Sequence, residues 1–561
     1  MDYKRMIADT VRLDGVSAQE IYEMLVPPKD SANGDYCLPC FKFAKQLRTS
    51  PIEIARRIAQ ETARVAALSK VEAVAGYVNY TLDKTMLAAQ VLDRVLAQGD
   101  AYGASDQGAG KTVCIDYSSV NIAKPFHMGH MLNTAIGAAL YRLYAKLGYR
   151  VVGINHLGDW GTQFGKLIVA YRKWGDPALV ESSGVRGLLD IYVRFHKEAE
   201  QDPALDDQAR AAFKAIEDGD PEAVALWNRF KDITMREVER TYARLNVRFD
   251  SYAGESFYND KMQPVLDDLR AQGLLEYSDG AQIVRVGDDM PPCLLVRADG
   301  ATLYATRDLA AAFYRKRTYD FDRCLYVVAY QQNLHFRQFF GVLERMGEPW
   351  AQDMVHVAHG MVSLEDGAMS TRSGHVVTLE EVLDKAVEKA RGVIADKSPD
   401  LQDKDGVAEQ VGVGAVVFGM LYNARIKDMV FSFDKCLNFD GETAPYIQYT
   451  YARCNSVLAK AGQSECEPDY RGLDNPEAAQ LIRLLDRYPQ TLVEAARKYE
   501  PCIVSRHLVD VAQAFNKFYF EHSILQASPA EREARVRLVR ATRHVLASAL
   551  DLLGIGKPER M

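Results

Sequence analysis

The chain is predicted to be an α/β protein, with a central parallel-sheet domain carrying insertions, an α+β domain ahead of it and an all-helical domain behind it. Three observations predict this. A short β-type run, 112–117, passes through a glycine-bearing turn into an apolar-faced helix and a second run, 149–155, which together make a βαβ unit. From about 176 to 300 the pattern changes to charged helical segments and then to short alternating runs, as expected of insertions. From 379 to 561 almost everything has helical periodicity, notably 380–393, 442–461 and 531–553.

The bulk numbers agree with this plan. At 561 residues the chain exceeds one compact core, and about three domains are expected. Hydrophobic content of 48% and charged content of 26% fit a globular protein and leave no room for a disordered or fibrous class. The first ten residues have no apolar stretch like a signal peptide, and the longest apolar run, 411–421, is glycine-interrupted and too short for a bilayer. A cytoplasmic location with no membrane partner is therefore expected. Nine cysteines, odd in number and scattered, do not make a disulfide framework. Cys37-Leu38-Pro39-Cys40 has no second pair to complete a zinc site and reads as structural. Net charge of -8 argues against an indiscriminate nucleic-acid binder and gives no reason to expect a DNA partner, although Lys42, Lys45, Arg48, Arg56, Arg57 and Arg64, and later Arg532, Arg535, Arg537, Arg540 and Arg543, concentrate positive charge locally. Each cluster alone fits a solvated helix face.

The elements follow in order. The first domain, 1–108, has a polar segment at 30–35, a helix with Ser50 as cap and Pro51 at its first position running to about 68, and a strand at 76–82. Gly103, Ser105, Gly108 and Gly110 mark a linker over 99–110. The central domain, 109–378, opens with the strand 112–117. The following helix has one apolar face of Leu132, Ile136, Leu140, Leu143 and Leu147, and Gly148 closes it. The strand 149–155 opens into Leu157-Gly158-Asp159-Trp160-Gly161. Insertions occupy about 176–250 and 255–300, the second with runs at 281–286 and 293–299, and the sheet resumes at 324–328 and 354–357. The third domain, 379–561, is helical.

The chemistry concentrates at Lys124-Pro125-Phe126-His127-Met128-Gly129-His130, on the strand-to-helix turn. Two histidines flanking a glycine can aim imidazole donors at a phosphate, and the missing side chain lets an adenine lie on the backbone. The other reading of the same residues is a pair of helix-capping histidines.

Five separated motifs resemble class I aminoacyl-tRNA synthetases, and their wording is similar to the arginyl-tRNA synthetases. They are 116–125 running into His127-Met128-Gly129-His130, then Gly158-Asp159-Trp160-Gly161 to Gly165, Leu303-Tyr304-Ala305-Thr306-Arg307-Asp308-Leu309, Gln331-Gln332-Asn333-Leu334-His335, and Met369-Ser370-Thr371-Arg372 through Leu379. Tyr446-Ile447-Gln448-Tyr449-Thr450-Tyr451-Ala452-Arg453 and the ending Lys557-Pro558-Glu559-Arg560-Met561 extend the likeness. It implies a Rossmann-type catalytic domain, an N-terminal additional tRNA-binding domain and a helical anticodon-binding domain. The implied activity is ATP-dependent formation of arginyl-adenylate and transfer to tRNA(Arg), with Mg2+ carried by ATP, no permanent cofactor and no protein metal site.

The resemblance assigns L-arginine to Asp116, Tyr304 and Asp308, with Asn121 and Gln332 at its other groups, and ATP to His127, Gly129, His130, Met369 and Ser370. It assigns tRNA to Tyr446, Tyr449 and Met561. A guanidinium held by carboxylates in fork geometry would exclude lysine, which supports arginine independently. Tyr304 and Asp308, four apart, share a helix face, and so do Tyr446 and Tyr449, whose rings can stack on splayed bases. Capping or ion pairing for Asp308, and core packing for the three tyrosines, are the alternatives. One departure stands out: Ala368 occupies the place of the first lysine of the second signature. Arg372 remains as a basic partner on that loop, and Lys124, three residues before His127, is expected to supply the missing charge. The family is often monomeric, and the likeness suggests that activation waits for tRNA. A catalytically silent tRNA-binding relative and a small-molecule nucleotidyltransferase are the rival readings. The amino-acid-pocket residues disfavour the first, and the helical third domain disfavours the second.

Overall fold

The computed structural model describes residues 3–28, 30, 33–62, 65, 67–365, 377–463 and 466–561. Two compact units compose the chain, each drawn from several stretches of sequence.

The first unit joins residues 1–102 with 453–487 and 510–545. Its strands β1 (Tyr36–Pro39), β2 (Leu68–Val74) and β3 (Tyr77–Leu82) form an antiparallel sheet in the order β1-β3-β2. The helix beginning at Pro51 ends at Thr62, earlier than the expected 68, because Leu68 already belongs to β2. The tight turn between β2 and β3 explains the difference. Ala75 and Gly76 have φ of 46° and 86°, the doubly positive pair that a two-residue hairpin requires, and Ala75 is a weak sequence signal for it. Ser50 caps the helix as expected, its hydroxyl accepting from Glu53 N at 3.2 Å. Ion pairs far apart in sequence tie the first hundred residues to the later stretches: Lys84 to Asp474 at 3.0 Å, Arg483 to Asp35 at 2.6 Å, Arg537 to Asp93 at 3.0 Å, and Arg94 to Asp486. Cys37 and Cys40 are buried free thiols whose pKa values burial pushes up, that of Cys40 to about 12, so neither presents a thiolate.

The second unit joins 103–452 with 488–509 and 546–561. Strands β4 (Thr112–Asp116), β5 (Arg150–Ile154), β9 (Arg323–Ala329) and β10 (Met354–His359) make an all-parallel sheet in the order β10-β9-β4-β5. Every residue of β4 is buried, the composition of a strand covered on both faces. The helix Met128–Lys146 follows β4, and Leu132, Ile136, Leu140, Leu143 and Leu147 are all buried as their spacing demanded. Gly148, at φ 84°, ends it.

Three helices, Pro177–Ala199, Ala204–Glu217 and Pro221–Arg244, build the first insertion. The antiparallel strands β6 (Glu276–Ser278), β7 (Ala281–Val284) and β8 (Cys293–Val296) build the second. Among the described residues after 379, the strand is β12 (Met429–Phe431), which pairs with β11 (Val362–Leu364), and the other long elements are helices. Three residues are too few to show a period, so this pair has no signature in the sequence. Among the described residues no helix is long and apolar enough to cross a membrane.

Candidate active site

In the order β10-β9-β4-β5 the chain leaves β4 on one side toward β5 and returns on the other side with β9. The crevice at this reversal, outside the carboxyl ends of the strands, is where ligands bind in open parallel sheets. The histidine-bearing turn follows β4, and Gln332, exposed at the end of the turn Tyr330–Gln332, follows β9.

Between β4 and that turn the backbone takes an unusual path. Ser118, Ser119 and Ala123 have φ of 69°, 48° and 59°, left-handed conformations that cost non-glycine residues about 1 kcal/mol each. Surrounding bonds hold the strain. Ser119 Oγ donates to Asp116 at 2.9 Å, Thr134 Oγ1 donates to Ser118 Oγ at 2.8 Å, and Ala123 N donates to Thr234 at 2.9 Å. Ile122 N and Gly158 N bond across to Gly158 O and Val120 O, at 3.1 and 2.9 Å. Asn121 is exposed, and its carboxamide lies over Gly158, where a Cβ would fall 2.3 Å from Asn121 Oδ1. Only glycine leaves that side chain its place.

His127 and His130 cap the helix. Nδ1 of His127 accepts from Gly129 N at 3.0 Å, and Nδ1 of His130 accepts from His127 N at 3.3 Å, a reciprocal capping box. The capping alternative is therefore realised, yet it favours the phosphate reading too. A ring accepting at Nδ1 carries its proton on Nε2, so each imidazole keeps one N–H donor for a ligand. Burial lowers both pKa values, that of His130 to about 3, with His127 and the nearby Lys124 adding to the effect. Both rings are neutral donors at neutral pH. Lys124 is exposed and brings the positive charge. Met369, Ser370 and Arg372 lie outside the described residues. Downstream of them, Thr378 pairs with His127, and Leu379 N donates to Phe126 O at 2.8 Å.

A second cluster is acidic. Tyr304 and Asp308 stand in the first turns of the helix Tyr304–Tyr319; the Asp308 carboxylate meets His335 Nε2 at 2.7 Å, and the Tyr304 ring lies 4.6 Å from the His335 ring. Tyr304 is 54% exposed, so it is available to a ligand rather than packed in the core. Sequence reasoning missed Glu255. Burial raises its pKa to about 7, with Asp308 and Asp159 pushing the same way and Arg307 opposing. Such a carboxyl beside other carboxylates favours the approach of a cation. The sequence signal was a lone carboxylate, Gly254-Glu255-Ser256, between aromatic residues. Asp159 is fully buried and fixes this corner, accepting from Lys231 Nζ at 2.8 Å, Ser256 N at 2.9 Å and Ser256 Oγ at 2.8 Å. Asp116 is 5% exposed, with one oxygen on Ser119 and the other 2.7 Å from Arg315 Nη2.

On the helix Ala444–Ala461, Tyr446 is half-buried and Tyr449 is 43% exposed, whereas Tyr451 is buried against the chain's end, its hydroxyl 3.1 Å from Glu559. Gln448 holds the same tail through Gly556 O at 2.7 Å, and Met561 is half-buried.

Comparison with known proteins identifies the family. Residues 91–433 match the family model of tRNA synthetases class I (R), catalytic domain; residues 447–561 match the DALR anticodon binding domain, and 2–82 match the arginyl tRNA synthetase N terminal domain. The arginine–tRNA ligase of Clostridioides difficile is 49% identical over 564 residues, and that of Alkaliphilus metalliredigens is 47% identical over 564, each alignment covering 100% of both chains. The Thermus thermophilus arginyl-tRNA synthetase structure superposes with a TM-score of 0.82 at 26% identity, covering 100% of this chain and 99% of that one. The Plasmodium falciparum arginyl-tRNA synthetase shares the fold, with a TM-score of 0.77 at 22% identity over 96% and 94% of the two chains. With all three parts matched and near-half identity end to end, the chain belongs to the arginyl-tRNA synthetase family of class I aminoacyl-tRNA synthetases.

Proposed function

We propose that this chain charges tRNA(Arg) with L-arginine in two steps. First, a carboxylate oxygen of arginine attacks the α-phosphorus of ATP; the bond from that phosphorus to the bridging oxygen breaks, and pyrophosphate leaves as arginyl-adenylate forms. Then a hydroxyl of the terminal ribose attacks the activated carbonyl, and AMP departs.

Positioning and electrostatic stabilisation carry the first step. His127 and His130 donate Nε2–H to the phosphates, Gly129 lies under the adenine, and Lys124 supplies the cation that Ala368 does not. Met369, Ser370 and Arg372 complete the ATP side. Mg2+ would come with ATP as part of the substrate and would offset charge on the phosphates. Asp308, Tyr304 and Glu255 hold the guanidinium, Asn121 and Gln332 hold the amino acid's other end, and Asp116 closes the pocket floor. A planar fork satisfies two carboxylates where an ammonium cannot, which separates arginine from lysine. Tyr446, Tyr449 and Met561 contact tRNA, on which activation depends, and the enzyme works as a monomer in the cytoplasm.

The observation that carries the arginine assignment is half-buried Glu255, whose ionisation burial opposes and the charges of Asp308 and Asp159 oppose further, so that a cation bound beside these carboxylates is favoured. The test is aminoacylation of unfractionated tRNA with each amino acid in parallel, with and without ATP. Charging by arginine alone, and only with ATP, is expected; charging by another amino acid would refute the assignment.

A further inference from the structure

Arg315 has no role in the reaction as described so far, yet it is one of the most deeply buried charges in the protein, at 1% exposure. Its Nη2 bonds Asp116 Oδ2 at 2.7 Å and lies 3.5 Å from His156 Nδ1. The guanidinium also stands 5.3 Å from the Tyr326 ring centroid, with the Tyr258 hydroxyl beside it. These neighbours come from different elements: Asp116 ends β4, His156 follows β5, Tyr326 is in β9, and Tyr258 is in the turn that begins at Glu255. One side chain thus reaches the ends of β4 and β5, the middle of β9 and the turn bearing the acidic pocket.

Arg315 also shares a face with two residues of that pocket. At 100° per residue, Tyr304, Asp308 and Arg315 fall within about 40° of one another around the helix Tyr304–Tyr319. Exposure falls along this face from 54% at Tyr304 to 1% at Arg315, so the face passes from the crevice mouth to a deeply buried position. A buried, directional ion pair at its deep end fixes the helix's rotation and rise against β4. The other oxygen of Asp116 accepts from Ser119 Oγ at 2.9 Å, inside the strained loop that leads to Asn121 and Lys124.

We infer that Arg315 is a positioning residue for arginine activation: through Asp116 it sets the helix bearing Tyr304 and Asp308 in register with the loop bearing Asn121. It touches neither substrate. The argument rests on the reading that arginine occupies this crevice. A misplacement of about 1 Å is enough to cost on the order of a hundredfold in rate.

The experiment compares wild type with Arg315→Lys, which keeps the charge but not the fork, and Arg315→Gln, which keeps polarity alone. Arginine-dependent ATP–pyrophosphate exchange is measured with tRNA present, active sites are counted by adenylate burst, and folding is followed by melting temperature. We expect both variants, per titrated site, to raise the KM for arginine at least tenfold and lower kcat at least tenfold, with the KM for ATP moving less than threefold and Arg315→Lys the milder. If Arg315→Lys is folded and its arginine KM and kcat per site stay within threefold of wild type, the pair is merely structural and the inference falls. If the variants lose only the number of titratable sites, it falls equally. A wild type with no arginine-dependent exchange would instead overturn the reading of the crevice itself.

Discussion

Nδ1 of His127 accepts the backbone N–H of Gly129 at 3.0 Å, so the ring that starts the helix also has its tautomer set by it. Capping occupies Nδ1, whereas the proposed phosphate contact would use Nε2 of the same imidazole. The two roles can therefore be separated by substitution.

Asparagine is among the best N-cap residues and has no donor at the position of Nε2. His127→Asn is expected to keep the melting temperature close to wild type while lowering kcat for pyrophosphate exchange by about 100-fold, the usual loss for one electrostatic donor. His127→Ala should lose both, with about 1 kcal/mol of stability gone as well. Thermal melts beside exchange kinetics decide it, and an Asn variant of normal activity would remove His127 from the phosphate site.

The raised pKa of Glu255, about 7, gives a pH dependence with a definite sign. Below that pH the carboxyl is protonated and offers no charge, whereas bound guanidinium favours the ionised form. Arginine affinity should therefore fall as pH drops through about 7, approaching tenfold per unit. His130, with its pKa at about 3, stays neutral across this range and contributes nothing to the slope. Titrating the arginine KM from pH 6 to 8.5 should show the inflection in wild type and none in Glu255→Gln, whose KM is high throughout; an identical profile in both would discard the assignment.

If Lys124 supplies the cation absent at Ala368, Lys124→Ala should slow activation by about 10- to 100-fold with little change in arginine KM, and Arg372→Ala should have a separate effect. Single-turnover rates at saturating arginine measure this. A near-normal rate in Lys124→Ala would end the compensation idea.

Gly137 lies within the helix Met128–Lys146, where alanine ordinarily stabilises by up to about 1 kcal/mol. Here a Cβ would sit 2.2 Å from Tyr117 Cγ, and Tyr117 is anchored by its hydroxyl to Arg248 O at 2.8 Å. Gly137→Ala is therefore expected to destabilise by about 2 kcal/mol or more, read from denaturant midpoints. An unchanged or raised midpoint would mean that Tyr117 moves aside easily.

The sequence by itself determined the elements whose causes are local. The apolar spacing from Leu132 to Leu147 needs only the helical period, the run at 112–116 needs only β-propensity, and the glycine-flanking histidines need only the strand-to-helix turn in which they stand. Tyr304 and Asp308 were legible for the same reason, since four residues along a helix make one face. The hairpin at Ala75 and Gly76 escaped notice because alanine is an unusual residue at positive φ. The strand Met429–Phe431 escaped because three residues have no period.

Tertiary structure alone decided what depends on residues distant in the chain. Glu255 acquires its raised pKa from burial beside Asp308 and Asp159, neither of them a sequence neighbour. Asp116 meets Arg315 across 199 positions, and Arg94 meets Asp486 across 392. The last of these pairs places parts of the C-terminal helices in one compact unit with the first hundred residues, a grouping that linear order does not suggest. Periodicity records which face of an element is buried, but the partner that buries it, and the electric field it meets there, are set only when the chain closes on itself.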